Sequence, residues 1–208
     1  MLNKLIDFNV SPIKKHEFYI LLKDVYIDEI NWEITKSNPS NLRIENGQLI
    51  DDFYDDASYF GFCLDGKPVF GFRLIMNSKE IIRYSTNHNL LAIQKESVEV
   101  NRLVIHPDLR RMGSDLVKLT SRLSEDFIHK MNMPYCVTAT DHKALKKRYQ
   151  TYPNVKVLEK AIQYPEGSSD AYIFPPGGTD SKWNLIKGSN HNLLKTAYDE
   201  IVTNSGYF

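Results

Sequence analysis

The segment 98–114 constrains the fold of this chain more than any other. It runs Val98, Glu99, Val100, Asn101, Arg102, Leu103, Val104, Ile105, then His106, Pro107, Asp108, Leu109, then Arg110, Arg111, Met112, Gly113, Ser114. The β-branched residues over 98–105 predict a strand. Pro107 marks a turn, with His106 as a turn residue beside it. Arg110 to Gly113 forms a short basic loop, and Ser114 is placed to cap a following helix. Strand, turn, loop and helix in that order gather backbone N–H groups and arginine side chains where a phosphate can sit. Glu99 lies upstream, in a strand that apolar neighbours would bury. Phosphate anchor and strand acid together point to chemistry on a phosphate-bearing carrier.

The rest of the chain supplies the frame. Phe18, Leu21, Leu22, Val25, Tyr26 and Ile30 recur at helical spacing, which predicts an amphipathic helix over 12–29. Residues 34–57 are polar and rich in turn signals such as Asn46 and Gly47, and read as one long loop. The runs 58–64 and 68–76, separated by Asp65, Gly66 and Lys67, predict a hairpin. Residues 80–96 carry no decisive pattern. A stripe of Leu116, Leu119, Leu123, Phe127 and Met131 predicts a helix over 114–130. A strand over 135–140, a basic helix over 142–150, closing strands at 155–158 and 171–174, and a C-terminal helix near 191–203 complete the order. This is an α/β pattern, a mixed sheet flanked by helices in a single domain.

Composition narrows the function. Lys and Arg total 26, as do Asp and Glu, so no overall field draws nucleic acid. Cys63 and Cys136 sit in apolar runs and read as reduced thiols. The histidines lack metal-ligand spacing, so no metal is expected. No apolar run reaches the roughly 20 residues of a membrane span. The start lacks a signal-peptide pattern, and the expected location is cytoplasmic.

Arg110-x-x-Gly113 at the opening of a helix resembles the Arg/Gln-x-x-Gly-x-Gly/Ala motif of the GNAT acyltransferases. Asp115 stands where that motif has a small residue. The resemblance implies a GNAT-like, mostly antiparallel sheet with splayed central strands. It implies an acyl-phosphopantetheine co-substrate, held along Leu103, Val104, Ile105, Arg110, Arg111, Met112, Gly113 and Ser114, and no tightly bound cofactor. A carboxylate at 115 suits the single phosphodiester of a carrier protein better than the diphosphate of CoA. The family's general-acid tyrosine corresponds to Tyr149 or to Tyr152.

The first half resembles one branch more specifically. Val25, Tyr26 and Trp32 resemble the Val-Phe…Trp signature of the acyl-homoserine lactone (autoinducer) synthases. Asp52 and Asp55 resemble their Asp-x-x-Asp, Gly71-Phe72-Arg73 their Gly-x-x-Arg with the Arg one place early, and Glu99 to Arg102 their Glu-x-Ser-Arg. This implies acyl carrier protein as partner and donor. It places Tyr26, Trp32, Asp52, Asp55 and Arg73 around a small amine, with Glu99, Arg102 and Tyr149 at the reaction. Leu22 replaces the branch's usual Arg and Ile50 its usual acid. Both shape the S-adenosylmethionine site, so their loss favours another amine, as in the related N-acyl amino acid synthases.

The expectation is an N-acyltransferase that moves a fatty acyl group from acyl carrier protein, or from CoA, to a small amine such as an amino acid. The rivals are a lactone synthase using S-adenosylmethionine, an acetyl-CoA N-acetyltransferase, and a non-catalytic GNAT-fold binding module. On this reading 12–57 covers the site, 58–175 holds the donor and 176–208 is an extension. Glu99 is the candidate base, its pKa raised by burial, with a salt bridge to Arg102 or Arg73 as the alternative role. Glu99 and Arg102 lie three apart, so a regular strand would separate them. A β-bulge would bring them to one side and splay the sheet there.

Overall fold

The computed structural model describes residues 9–31, 34, 40–152, 154–164, 167–174, 186 and 189–208. β1 (Val10–Pro12) forms one edge of the sheet. α1 (Lys15–Leu22) follows, and the helix continues as a π-helical segment, Lys23–Glu29. There the N–H of Ile30 donates to the carbonyl of Val25 at 3.0 Å, five residues back. The helix expected over 12–29 is thus two segments of different pitch. The apolar spacing could not reveal this, because widening the helix keeps Val25 and Tyr26 turned inward.

The stretch expected as a single loop holds a small ribbon. β2 (Arg43–Glu45) pairs antiparallel with β3 (Gln48–Ile50). Asn46 (φ +52°) and Gly47 (φ +79°) form the two-residue turn, in the left-handed conformation such turns require. Strands this short show no alternation to read.

β4 (Ala57–Leu64) and β5 (Lys67–Met76) form the expected hairpin. Residues 80–96 resolve into short turns of helix around α2 (His88–Ile93). β6 (Ser97–Ile105) leads through a 3-10 turn, Pro107–Met112, into α3 (Gly113–Lys130). Ser114 is therefore inside the first turn of α3 and does not cap it. The 3-10 turn runs straight into the helix, with the Gly113 N–H already donated to the Arg110 carbonyl. β7 (Tyr135–Thr140), α4 (Lys143–Tyr149), β8 (Lys156–Tyr164), β9 (Gly167–Phe174) and α5 (Ser189–Asn204) complete the chain.

The main sheet has the order β1-β4-β5-β6-β7-β9-β8. Its neighbours are antiparallel except β6 and β7, which are parallel. On one face Phe60, Phe62, Phe70 and Phe72 pack against the stripe of α3 and against Leu194, Ala197 and Ile201 of α5. Each such side chain contributes about 1.5–3 kcal/mol on full burial. These phenylalanines are core and do not line the cavity described below. On the other face α1 lays Phe18 directly on Gly71 of β5, where a Cβ would come within 2.8 Å of the ring. No helix among the described residues is long and apolar enough to cross a membrane.

Candidate active site

The site begins at a break in β6. Its parallel ladder with β7 ends at the pair Glu99–Val137. On its other side Gly71 pairs with Val104 and Arg73 with Asn101, so Arg102 and Leu103 oppose Phe72 alone. This is a β-bulge, and Arg102 adopts a left-handed φ of +52° within it. Such a conformation costs on the order of 1–3 kcal/mol outside glycine. It turns Glu99, Asn101 and Arg102 toward one cluster. Asn101 Nδ2 donates to Glu99 Oε1 at 3.0 Å and to Glu80 Oε2 at 2.8 Å, and Arg102 Nη2 donates to Glu80 Oε1 at 3.0 Å. Beyond Glu99 the two strands part, and a cavity of about 1130 Å³ opens between them.

A charged cluster stands behind this break. Arg73 is 0 % exposed. Its Nη2 donates to Glu80 Oε2 at 2.6 Å, its Nε to Asn101 Oδ1 at 2.6 Å, and its Nη1 to Tyr19 Oη at 3.1 Å and to Asp51. Tyr19 in turn donates to Asp51 Oδ1 at 2.8 Å. Burial opposes the Arg73 charge, but Glu80 and Asp51 outweigh it and hold the guanidinium protonated. Burial would likewise raise Glu80, yet Arg102 and Arg73 pull its carboxyl below the usual range.

Glu99 goes the other way. It is 3 % exposed, and burial, reinforced by the adjacent Glu80 charge, pushes its carboxyl up to about 7. The backbone N–H groups of Glu80 and Ile81 donate to its Oε2 at 3.1 and 3.0 Å and limit the rise. A carboxyl titrating there, on the wall of a cavity, is suited to proton transfer.

The structure sorts the residues expected at the amine. Tyr26 lines the cavity, its hydroxyl donating to the Leu103 carbonyl at 3.3 Å, while Arg73 is fully buried in the charged cluster and does not line it. Asp52 and Asp55 do not meet Arg73. Asp52 pairs with Arg83 at 3.0 Å and Arg43 at 3.5 Å near the surface, and Asp55, its side chain 86 % exposed, pairs with Lys15 at 2.7 Å. The buried partner is Asp51, one residue earlier. Arg73 thus finds its carboxylates at Asp51 and Glu80, and the substitution at Ile50 leaves no guanidinium uncompensated. Leu22 is packed in the apolar cluster under α1. Trp32 lies outside the described residues.

At the donor end, Leu103, Val104, Ile105, Arg110, Gly113 and Ser114 line the cavity. Arg111 and Met112 do not: Arg111 is exposed and Met112 is buried in the core. Arg110 is held by a bidentate pair with Glu29, at 2.6 and 2.5 Å. Asp115 faces away from the cavity, bonded to Lys118 Nζ at 2.7 Å and Asn190 Nδ2 at 3.2 Å. Tyr149 lines the cavity, its hydroxyl pushed up by burial and bonded to Thr138. Tyr152 is in the core, where its hydroxyl accepts from Arg148 Nε at 3.1 Å. Burial pushes the Cys136 thiol up to about 12, which leaves it a poor nucleophile.

Sequence reasoning missed Asp51, Glu80, Asn101 and Arg148. Asn101 alone carried a signal, since it shares a strand face with Glu99 by simple alternation. Glu80 sits in the patternless stretch. Arg148 reaches across to the start of α3, donating to the Ser114 carbonyl at 3.0 Å and its Oγ at 3.1 Å.

A mixed sheet splayed beside a buried acid, with a 3-10 turn feeding a long helix, is a GNAT-like fold. Among solved structures, the chain is similar to BjaI, a CoA-dependent acyl-homoserine lactone synthase. The TM-score is 0.60 at 15% identity, over 94% of this chain and 90% of that one. It is similar to the AHL synthase LasI, with a TM-score of 0.59 at 12% identity over 85% and 92%. It is also similar to FeeM, an N-acyl amino acid synthase from uncultured soil microbes, with a TM-score of 0.59 at 10% identity over 86% and 98%. At these identities the likeness is one of fold. No protein-family model matches the chain, and no curated protein matches it in sequence.

Proposed function

We propose that the chain is an N-acyltransferase, acting as one domain, that moves a fatty acyl group from a phosphopantetheine thioester to a small amine such as an amino acid. The observation that carries this reading is Glu99, a carboxyl titrating near neutrality where β6 and β7 part above the cavity. The donor arm lies along Leu103 to Ile105, with its phosphate near Arg110, Arg148 and the start of α3. Acyl carrier protein is the proposed partner, and CoA the alternative carrier. β6 N–H groups facing the gap hold the thioester carbonyl as it gains charge. The amine arrives protonated, and Glu99 takes its proton so that the neutral nitrogen can attack. The C–N bond forms and the C–S bond breaks; the second proton shed by the nitrogen passes to the departing sulfur, which leaves as the thiol with Tyr149 donating a hydrogen bond to it. A phenol held so high is a donor at that step more readily than a proton source. Arg73, Asp51 and Glu80 fix the wall against which Tyr26 and Arg102 orient the amine.

A second reading is a lactone synthase using S-adenosylmethionine, favoured by the overlap with BjaI, whose structure was solved with SAM and isopentyl-CoA. Mass spectrometry of lipid extracts from cells expressing the chain tests both. A new N-acyl amino acid supports the first reading and an acyl-homoserine lactone the second. Extracts indistinguishable from those of cells that do not express the chain would remove the acyltransferase assignment.

A further inference from the structure

The carboxyl on the cavity wall is held from behind by a strained turn. After β5 the chain enters Asn77 (φ +62°) and Ser78 (φ +42°), two successive non-glycine residues in the left-handed region. L-residues visit that region singly as a rule, and serine is not among those that favour it. Such a conformation persists only where its surroundings impose it. Here they do. The Asn77 N–H donates to the Ser97 carbonyl at 2.8 Å, and the Ser78 and Ser97 hydroxyls lie 2.7 Å apart. Ser97 donates its own proton to the Gln94 carbonyl at 2.9 Å, so Ser78 is the donor of the pair. Both serines are fully buried. What the turn delivers is the next stretch of backbone. The N–H groups of Glu80 and Ile81 emerge from it in succession and meet on Glu99 Oε2.

We infer that Ser78 and Ser97 are positioning residues for the proposed reaction, their hydroxyl pair locking the turn that keeps two backbone N–H groups on the Glu99 carboxylate. This rests on the acyltransferase reading above and adds to it the part that fixes the base. Two donors on one oxygen favour the ionised acid and oppose the effect of burial. The charged and titratable groups facing Glu99 are Glu80 in the turn, Arg73 on β5 and Cys136 on β7. The serine pair holds none of them in place. Arg73, Arg102, Asn101 and Ser40 bind the Glu80 carboxylate, and Arg73 and Cys136 are set by their strands. Loosening the turn therefore withdraws the N–H groups and leaves the charges where they are. The Glu99 carboxyl, at about 7 with both donors in place, then rises further.

The test is Ser78→Ala, followed by two measurements. Ser97 keeps its bond to Gln94, so the substitution leaves no buried donor unpaired. The first measurement needs no substrate. Infrared titration follows the protonated-carboxyl stretch of Glu99, identified by its loss in Glu99→Gln. Its midpoint should move up by about one pH unit, the scale of one charge-assisted hydrogen bond. The second is the pH dependence of kcat/KM for the amine. Its acid limb should move up by the same amount, so that the rate falls about tenfold at pH values below the wild-type midpoint and is unchanged on the plateau above it. Ser97→Ala should behave alike. Ser97→Thr, which keeps the hydroxyl on a strand that suits a β-branched residue, should retain the wild-type midpoint. Ser78→Cys, of similar size and a far weaker donor, serves should the alanine variants fold poorly. A midpoint unmoved in the alanine and cysteine variants, whatever their melting temperatures, would make the serines structural and overturn the inference. So would the same shift in Ser97→Thr as in Ser97→Ala. A midpoint that moves in a protein that transfers no acyl group would overturn the acyltransferase reading, and the positioning role with it.

Discussion

Glu80 and Glu99 are bonded into the same buried network, yet they titrate in opposite directions. Glu80 lies below its ordinary value of 4.5 because Arg102 and Arg73 outweigh its burial, so its stabilisation is present above 4.5 and is lost as pH falls through its folded value. Glu99 is raised from 4.5 to about 7, so its contribution is complete below 4.5 and is lost as pH rises from there to about 7. Scanning calorimetry should therefore find that Glu99→Gln flattens the fall in Tm between those two values. In turnover assays the same variant should lose about 10²-fold or more in kcat at neutral pH, recovering at high pH where the amine deprotonates unaided. Wild-type kcat across the range would make Glu99 structural. Arg73→Leu would leave the Asp51 carboxylate buried without a cation and Glu80 with Arg102 alone, a cost of about 3–5 kcal/mol that urea unfolding would register. At this scale the sequence was legible in placing Glu99, Arg102 and Arg73 together, and they do share one buried network. It failed where several acids sat together. Asp51, Asp52, Asp55 and Asp56 are alike in sequence, and only the end of β3 decides which one turns inward.

Among elements, the bulge in β6 could be anticipated because two residues needed on one side stood an odd number apart. The π-helical segment could not, since its apolar spacing also satisfies an α-helix. The turn into α3 was legible as a turn but not in its 3-10 geometry. Its arginines looked equivalent, and the 3-10 geometry of Pro107–Met112 turns Arg110 to the cavity and Arg111 to solvent. Arg148, from α4, lines the cavity at the start of α3, and Arg111 does not. Steady-state kinetics should thus separate the three. Arg110→Ala and Arg148→Ala should each raise the donor KM by about tenfold, in keeping with one charge-assisted contact apiece, while Arg111→Ala changes it little. An equal effect from Arg111→Ala would move the phosphate off the start of α3.

On the scale of the molecule, the cavity is walled by the π-helical segment on one side and by the turn into α3 on the other. The bidentate pair of Glu29 with Arg110 is a tie between these walls. Glu29 ends the segment that carries Tyr26, and Arg110 belongs to the donor turn. On the proposed function a donor phosphate would compete with the Glu29 carboxylate for the same guanidinium, so seating the donor would untie the wall that faces the amine. The consequence is a sequence of events in time, with the thioester binding first and the amine second. Product inhibition should reveal it. The released carrier should compete with the acyl donor and act noncompetitively against the amine. Glu29→Gln, with the tie already loose, should lower the donor KM and let the amine bind in either order.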